Sequence, residues 1–268
     1  MKEAEIKKVV REGYGKIAQK NLSGCSSVST CCGSQDLVQN ISKRIGYSDE
    51  EIKVVPEGAT LGLGCGTPVA LASLKNGEVV LDLGSGAGFD CFLAANQVGK
   101  EGRVIGVDMK AKMLDRAREN ARKGNYENVE FRMGEIENLP VADNLADIII
   151  SNCVINLSPD KERVFQEAFR VLKPGGRLMV SDIVLLKELP EEVKSSIVAY
   201  IGCLAGAVTR GKYLEAIQAA GFQETRVVGE TSFPMELMVN DPTGKEIARN
   251  LNLSREKAKD LAGSVVSM

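Results

Sequence analysis

The segment Asp82-Leu83-Gly84-Ser85-Gly86-Ala87-Gly88 constrains this chain more than any other feature. The stretch from Glu78, with Val79, Val80 and Leu81, leads into it and reads as a buried strand, and the stretch from about Phe89 to Gln97 reads as a helix. Glycine at a strand-to-helix junction lets the backbone turn tightly and approach a ligand with no Cβ between them. The first amides of the helix then face that ligand. The rhythm continues downstream. Residues 103–109 read as a second strand, and 110–123 as an amphipathic helix with Met113, Ala117 and Ala121 on one face. Residues 129–133 and 145–151 read as the next strands. Ser158-Pro159 predicts a helix start, and Pro174-Gly175-Gly176 its stop before a strand over 177–184. Strands and helices alternating at short spacing predict an α/β, Rossmann-like fold with a mostly parallel sheet covered on both faces.

Outside this core the pattern is less regular. Residues 1–20 read as a helix, followed by a small, polar, cysteine-rich loop. A short helix carries Leu37, Val38, Ile41 and Ile45 and stops at Gly46, and Ser48 with Glu51 forms a capping box. A second glycine cluster, Gly62 to Gly66, has no clear strand before it and reads as a loop presenting Cys65. After Asp182, residues 188–208 read as an apolar inserted helix and 209–222 as another. Residues 223–230 and 232–239 read as a strand pair, and the tail over 247–266 as helical. The expected organisation is therefore 1–75, N-terminal helices and cysteine loop; 76–184, nucleotide-binding core; 185–240, acceptor-binding helices and final strands; 241–268, a helical tail.

Composition removes many chemistries. The 268 residues include no histidine, so neither an imidazole base nor a Ser-His-Asp or Cys-His nucleophile is available. The net charge of -2 gives no basic surface for nucleic acid, and that partner is not expected. No run of about 18 apolar residues suggests a membrane span, and the charged start has no apolar signal core, so a cytoplasmic protein with reduced thiols is expected. The seven cysteines are Cys25, Cys31, Cys32, Cys65, Cys91, Cys153 and Cys203, and no pair has CxxC spacing. Cys91 sits among apolar neighbours and reads as core. Cys153 follows Ser151-Asn152 at the carboxyl end of a strand, where open α/β sheets place ligands.

The glycine turn admits two ligands, a dinucleotide or S-adenosylmethionine. Asp82 just before the turn suits a ligand carrying an amine rather than a diphosphate. Asp108 ends the second strand, where an acid can bond ribose hydroxyls. Gly134-Glu135-Ile136 supplies a carboxylate near the adenine position. Together these residues resemble the class I S-adenosylmethionine-dependent methyltransferases.

A narrower resemblance rests on Tyr14-Gly15, the run Leu63 to Pro68, the run Leu81 to Gly86, Ser151-Asn152-Cys153-Val154-Ile155-Asn156-Leu157, Ser181-Asp182, Leu189 to Glu192 and Gly202 to Ala207. In this order they resemble the arsenite S-adenosylmethionine methyltransferases. The resemblance implies a seven-stranded class I sheet with an inserted arsenic-binding helical region. It implies arsenic held by Cys65, Cys153 and Cys203, with Cys31 and Cys32 as further candidates and the match among Cys25, Cys31 and Cys32 open. It implies cofactor contacts from Tyr14, Asp82, Gly84, Ser85, Gly86, Gly88, Asp108, Met109, Glu135, Ile136 and Asn152. The implied cofactor is S-adenosylmethionine. The implied partners are arsenite or its thiol conjugates and a thiol reductant such as glutathione or thioredoxin, acting on a monomer. Two other readings remain open: a methyltransferase of a small organic metabolite, and a thiol-based arsenic or metal binder without turnover.

Overall fold

Residues 3–20, 32–62, 64–201, 203–232 and 263–268 are described by a computed structural model. Four helices come first: α1 (Glu3–Lys20), α2 (Cys32–Ile45), α3 (Asp49–Val54) and α4 (Pro68–Leu71). The alternating core follows: β1 (Val79–Leu83), α5 (Phe89–Val98), β2 (Arg103–Asp108), α6 (Ala111–Lys123), β3 (Val129–Met133) and β4 (Ala146–Asn152). A single 3₁₀ turn (Ile155–Leu157) leads to α7 (Lys161–Val171) and β5 (Leu172–Ser181). Then come β6 (Ile183–Leu185), α8 (Glu191–Lys194), α9 (Ile197–Ile201), α10 (Arg210–Ala219), β7 (Thr231–Ser232) and β8 (Val265–Ser267).

Five strands form one parallel sheet in the order β3-β2-β1-β4-β5. Side chains alternate across it, as a period of two requires. Val80, Val104, Ile148 and Ile150 pack on one face with Phe92 and Leu93 of α5 and Leu114 and Ala117 of α6. Leu81, Leu83, Ile105, Val107 and Ile149 pack on the other with Phe165 and Val171 of α7 and Tyr213 of α10. Ile148, Ile149 and Ile150 are all fully buried. Burial at such positions contributes about 1.5–3 kcal/mol per side chain. This is the expected Rossmann-like sheet with helices on both faces.

The sheet differs from the expected seven strands. Among the described residues it has five, and β6, β8 and β7 form a separate antiparallel sheet. The division falls at Asp182, whose backbone N–H and C=O both pair with Met268 (3.0 and 2.9 Å). The chain therefore leaves the β5 ladder there and pairs with β8 instead. The expected helical tail accordingly ends in a buried strand; its residues 247–262 lie outside the described residues.

Other boundaries also differ for local reasons. The helix expected at Ser158-Pro159 begins at Lys161, because the Asp160 side chain caps the Arg163 N–H (2.9 Å) while Ser158 Oγ accepts from the Asp160 N–H (3.1 Å). Pro174-Gly175-Gly176 lies within β5, since α7 stops at Val171. The apolar helix expected over 188–208 is broken into α8 and α9. Ser195 Oγ bonds back to the Glu192 carbonyl, and Ser196 Oγ accepts from Ala199 N–H, which restarts the helix. Residues 223–230 are not a strand, and the pairing there is limited to β7; its expected partner, 233–239, lies outside the described residues. No described helix is long and apolar enough to cross a membrane.

Candidate active site

The glycine turn joins β1 to α5 with left-handed backbone at Gly84 (φ +70°), Gly86 (φ +53°) and Gly88 (φ +94°). The Gly84 and Ser85 N–H groups both donate to the Val107 carbonyl (2.8 and 3.0 Å), which ties the turn to β2. A Cβ on Gly84 would lie 2.4 Å from Val154 Cγ2, so the residue after Cys153 rests directly on the turn. A Cβ on Gly86 would meet nothing within 4 Å. That opening is rimmed by Asp108, whose carboxylate accepts from the Gly86 and Lys110 N–H groups (3.0 and 2.8 Å).

The donor set around the turn is acidic. Asp82 is buried, and the Cys91 thiol donates to it (3.1 Å). Burial, followed by the charge of Asp90, pushes the Asp82 carboxyl well up. Burial pushes Asp90 up to about 6, against bonds from Tyr47 and Asn152. Burial also raises Asp108. Burial disfavours their charged form, so a cation that ionises them is welcome where a diphosphate is not. The orphaned, buried Ser85 Oγ is a free hydrogen-bonding group in the same turn. The fit is to a nucleoside carrying ammonium and sulfonium charge. Cys91, expected as core, is buried there and also holds Asp82.

The other expected cofactor residues are placed unequally. Met109 is half-buried, in the cluster that holds Val10 of α1 and Cys65. Ile136 is buried in the opposite-face core. Glu135 pairs with Lys7 (2.8 Å) and with Arg11, so α1 is tied to the loop after β3. Tyr14 lies on α1, and its side chain is outside the described residues.

Three cysteines from separate elements converge at the carboxyl edge of β4 and β5. Cys153 follows β4, Cys65 lies on the loop before α4, and Cys203 follows the α9 region. The three pack in one cluster, Cys65 and Cys203 buried and Cys153 half-buried against them. Sulfur atoms of Cys65 and Cys153 and a carboxylate oxygen of Asp182 all lie within 4.8 Å of one another. The Cys203 thiol also donates to the Cys153 carbonyl (3.2 Å), and the Cys65 thiol to the Ser181 carbonyl (3.4 Å). Burial pushes the Cys65 thiol up, and the neighbouring Cys203 and Cys65 thiols push Cys153 well up. Cys153 (φ +56°) and Cys203 (φ +60°) both adopt left-handed backbone. For a residue with a Cβ this costs about 1–2 kcal/mol, and such strain concentrates at functional sites. Cys25 and Cys31 lie outside the described residues; Cys32 begins α2, and its side chain is likewise not described.

Several site residues carried no role in the sequence reading. Asp182 is fully buried and accepts from Ile183 N–H, Asn156 Nδ2 and Tyr213 Oη (2.9, 2.9 and 3.1 Å). Its place at the end of β5 was a usable signal, since strand ends hold sites. Ser267, whose hydroxyl donates to the Cys65 carbonyl, had no such signal, because its segment reads as helical. Tyr47 and Asp90 are joined by a 2.7 Å bond and were also missed.

Comparison with known proteins fits this geometry. A family described as a methyltransferase domain matches residues 74–221. The arsenite methyltransferase of Halobacterium salinarum is 43% identical over 266 residues, covering 96% of this chain and 68% of that protein. This chain belongs to the arsenite methyltransferase family. The human arsenite methyltransferase is 35% identical, over 85% of this chain and 61% of its own length. The structure of the arsenic(III) S-adenosylmethionine methyltransferase of Chlamydomonas reinhardtii superposes with a TM-score of 0.63 at 32% identity, covering 85% of this chain and 71% of that one. This arsenite methyltransferase chain thus spans about two thirds of the length of the curated relatives it matches: 68%, 62% and 61% for three of them. Its cofactor is S-adenosylmethionine, which the turn residues, Asp82 and Asp108 would hold.

Two predictions arise from the site of this family member. Gly66 has no room for a side chain, because a Cβ would lie 1.9 Å from Ser181 Oγ. Gly66→Ala is therefore expected to push the Cys65 loop off β5 and lower arsenite binding, measured by arsenic retained after gel filtration; retention equal to wild type would contradict this. Second, Asp90 takes a proton as the pH falls through about 6 in the free protein. Its neutral form no longer attracts a cationic ligand, so S-adenosylmethionine affinity is expected to fall between pH 8 and pH 5. Isothermal titration across that window checks the slope, and a flat profile would remove the carboxyls from cofactor recognition.

Proposed function

We propose that this chain transfers methyl groups from S-adenosylmethionine to trivalent arsenic held by the thiolates of Cys65, Cys153 and Cys203, as a step in arsenic detoxification. The observation that carries the reading is the gathering of these three cysteines at the sheet edge, the Cys65 and Cys153 sulfurs within 4.8 Å of each other and the Cys203 thiol on the Cys153 carbonyl, with Val154 packed on Gly84 of the glycine turn.

Trivalent arsenic is a soft acceptor, and thiolate sulfur is its matching donor. Three sulfurs occupy one side of the atom and leave its lone pair on the other. Arsenite arrives as a neutral hydroxide, so each thiol proton leaves with one hydroxide as water while an As–S bond forms. The raised thiols at Cys65 and Cys153 suit that exchange, because they enter it protonated. S-adenosylmethionine, when bound, supplies an electrophilic methyl group. The protein's part is to hold the lone pair toward the cofactor pocket, and such positioning contributes about 7–11 kcal/mol. No proton is removed from the acceptor, so no general base is needed, in keeping with a chain that has no histidine.

The reading carries partners with it. Arsenite or a thiol conjugate of it is the acceptor. The As–C bond takes up the lone pair as the sulfonium–methyl bond breaks to a thioether, and arsenic becomes formally pentavalent. A thiol reductant of the glutathione or thioredoxin kind supplies the two electrons that return it to the trivalent state. The reading calls for reduced cysteines, and with them a cytoplasmic setting. The reading requires neither nucleic acid nor a second protomer. Incubation with S-adenosylmethionine, arsenite and a dithiol, followed by arsenic speciation, is expected to give methylated arsenicals over many turnovers. Arsenite binding without turnover would make the chain a thiol-based sensor instead.

A further inference from the structure

Cys65 lies on a loop, yet its thiol must meet two others to within bonding distance of one atom. Beside the Ser267 hydroxyl on the Cys65 carbonyl, one side chain grips that loop twice. Asn152, the last residue of β4, accepts the Cys65 N–H on Oδ1 (3.0 Å) and donates from Nδ2 to the Gly66 carbonyl (2.9 Å). The amide thus grips the loop on both sides of the Cys65 side chain. Gly64, at φ +140°, lies so close that a Cβ there would sit 3.1 Å from Nδ2.

The same Nδ2 also donates to Tyr47 Oη (2.8 Å) and Asp90 Oδ2 (3.1 Å). Tyr47 is buried, its hydroxyl donates to Asp90 Oδ1 (2.7 Å), and its ring meets Phe89 edge-on at 4.8 Å. Asp90 and Phe89 form the first turn of α5, the helix that leaves the glycine turn. Two amide protons are shared among three acceptors, all within the protein. One amide therefore joins the start of the cofactor helix to the backbone of a thiol ligand.

We propose that Asn152 is a positioning residue that presets the Cys65 thiol relative to the glycine turn, with Tyr47 and Asp90 fixing its amide. This rests on the reading of Cys65 as an arsenic ligand, and it gives Asn152 a task other than the cofactor contact that the resemblance implies. A half-buried amide bonded on both sides has one orientation available, so the loop is placed before arsenic arrives. Preorganisation of this kind matters for a three-ligand site, where a misplacement of about 1 Å costs about 100-fold in rate.

Three measurements on full-length Asn152→Ala and Tyr47→Phe test it. X-ray absorption of the arsenite-loaded proteins counts As–S bonds: three are expected for wild type and two for Asn152→Ala. Alkylation of Cys65 by iodoacetamide, read by peptide mass spectrometry without arsenic present, is expected to speed about tenfold in Asn152→Ala, since the loop is no longer docked. S-adenosylmethionine affinity of Asn152→Ala, which loses a bond to Asp90, is expected to fall by less than the roughly tenfold rise in Cys65 alkylation; a larger fall overturns the proposal, because cofactor contact would then be the main task of the residue. Tyr47→Phe keeps the ring and removes the hydroxyl, and it is expected to show a smaller rise in Cys65 alkylation. Unchanged alkylation in both variants overturns the proposal, whether or not arsenic binds. Three As–S bonds in Asn152→Ala overturn it as well. A wild type whose arsenic is bound by other atoms overturns the ligand reading itself, and the alkylation rates still decide the positioning.

Discussion

Cys153→Ser is expected to lower arsenite methylation by about 100-fold or more while S-adenosylmethionine still binds. Cys153 stands at the centre of the site, with the Cys65 sulfur within 4.8 Å of its own and the Cys203 thiol donating to its carbonyl (3.2 Å). Serine keeps the size and the hydrogen-bonding capacity of the side chain. Its oxygen is a hard donor and does not hold trivalent arsenic as sulfur does. The left-handed backbone at this position is equally strained for serine, so the fold loses little. The cofactor turn touches Val154 rather than Cys153, which leaves its shape intact. Arsenic speciation beside a cofactor titration reads both halves of the prediction. Full methylation by Cys153→Ser would end the thiolate account.

Asp82→Asn is expected to weaken S-adenosylmethionine binding by about 10- to 100-fold, the range for losing a hydrogen bond to a charged group. Asp82 is buried at the end of β1 with a thiol as its donor, and burial together with Asp90 pushes its carboxyl well up. The free protein therefore bears an electrostatic cost that a bound cation offsets. Asparagine removes that cost and the attraction together. The variant is expected to be at least as heat-stable as wild type without ligand, yet poorly stabilised by the cofactor. Thermal shift with and without S-adenosylmethionine checks both, and an unchanged ligand-induced shift would contradict the role of Asp82.

The parts that were legible in the sequence are those set by local periodicity. β1 to β4 and the helices between them follow from alternation and helical spacing, and the Ser48 capping box is present with both of its bonds. The glycine turn needed no more than its own residues and two flanking strands. The second sheet was not legible, because β6 is three residues long and its partner β8 lies 80 positions further on in the chain. Nothing local marks a three-residue strand that exists through a distant pairing. The break between α8 and α9 turned on serine hydroxyls bonding to nearby backbone, which competes with helix in a way that apolar spacing hides. For the site, strand-end position pointed to Cys153, and the family resemblance supplied Cys65 and Cys203. The resemblance offered Asn152 as a cofactor contact, while its grip on the Cys65 loop required the fold.

The central claim is that arsenic bound to this protein's own thiols receives the methyl group. Protein loaded with one equivalent of arsenite, freed of unbound thiol by gel filtration and mixed with methyl-labelled S-adenosylmethionine, can be quenched after a single turnover. The predicted result is one labelled methyl per bound arsenic in wild type and none in Cys153→Ser. Label found on protein side chains, or no label on arsenic that remains bound through three sulfurs, would contradict it.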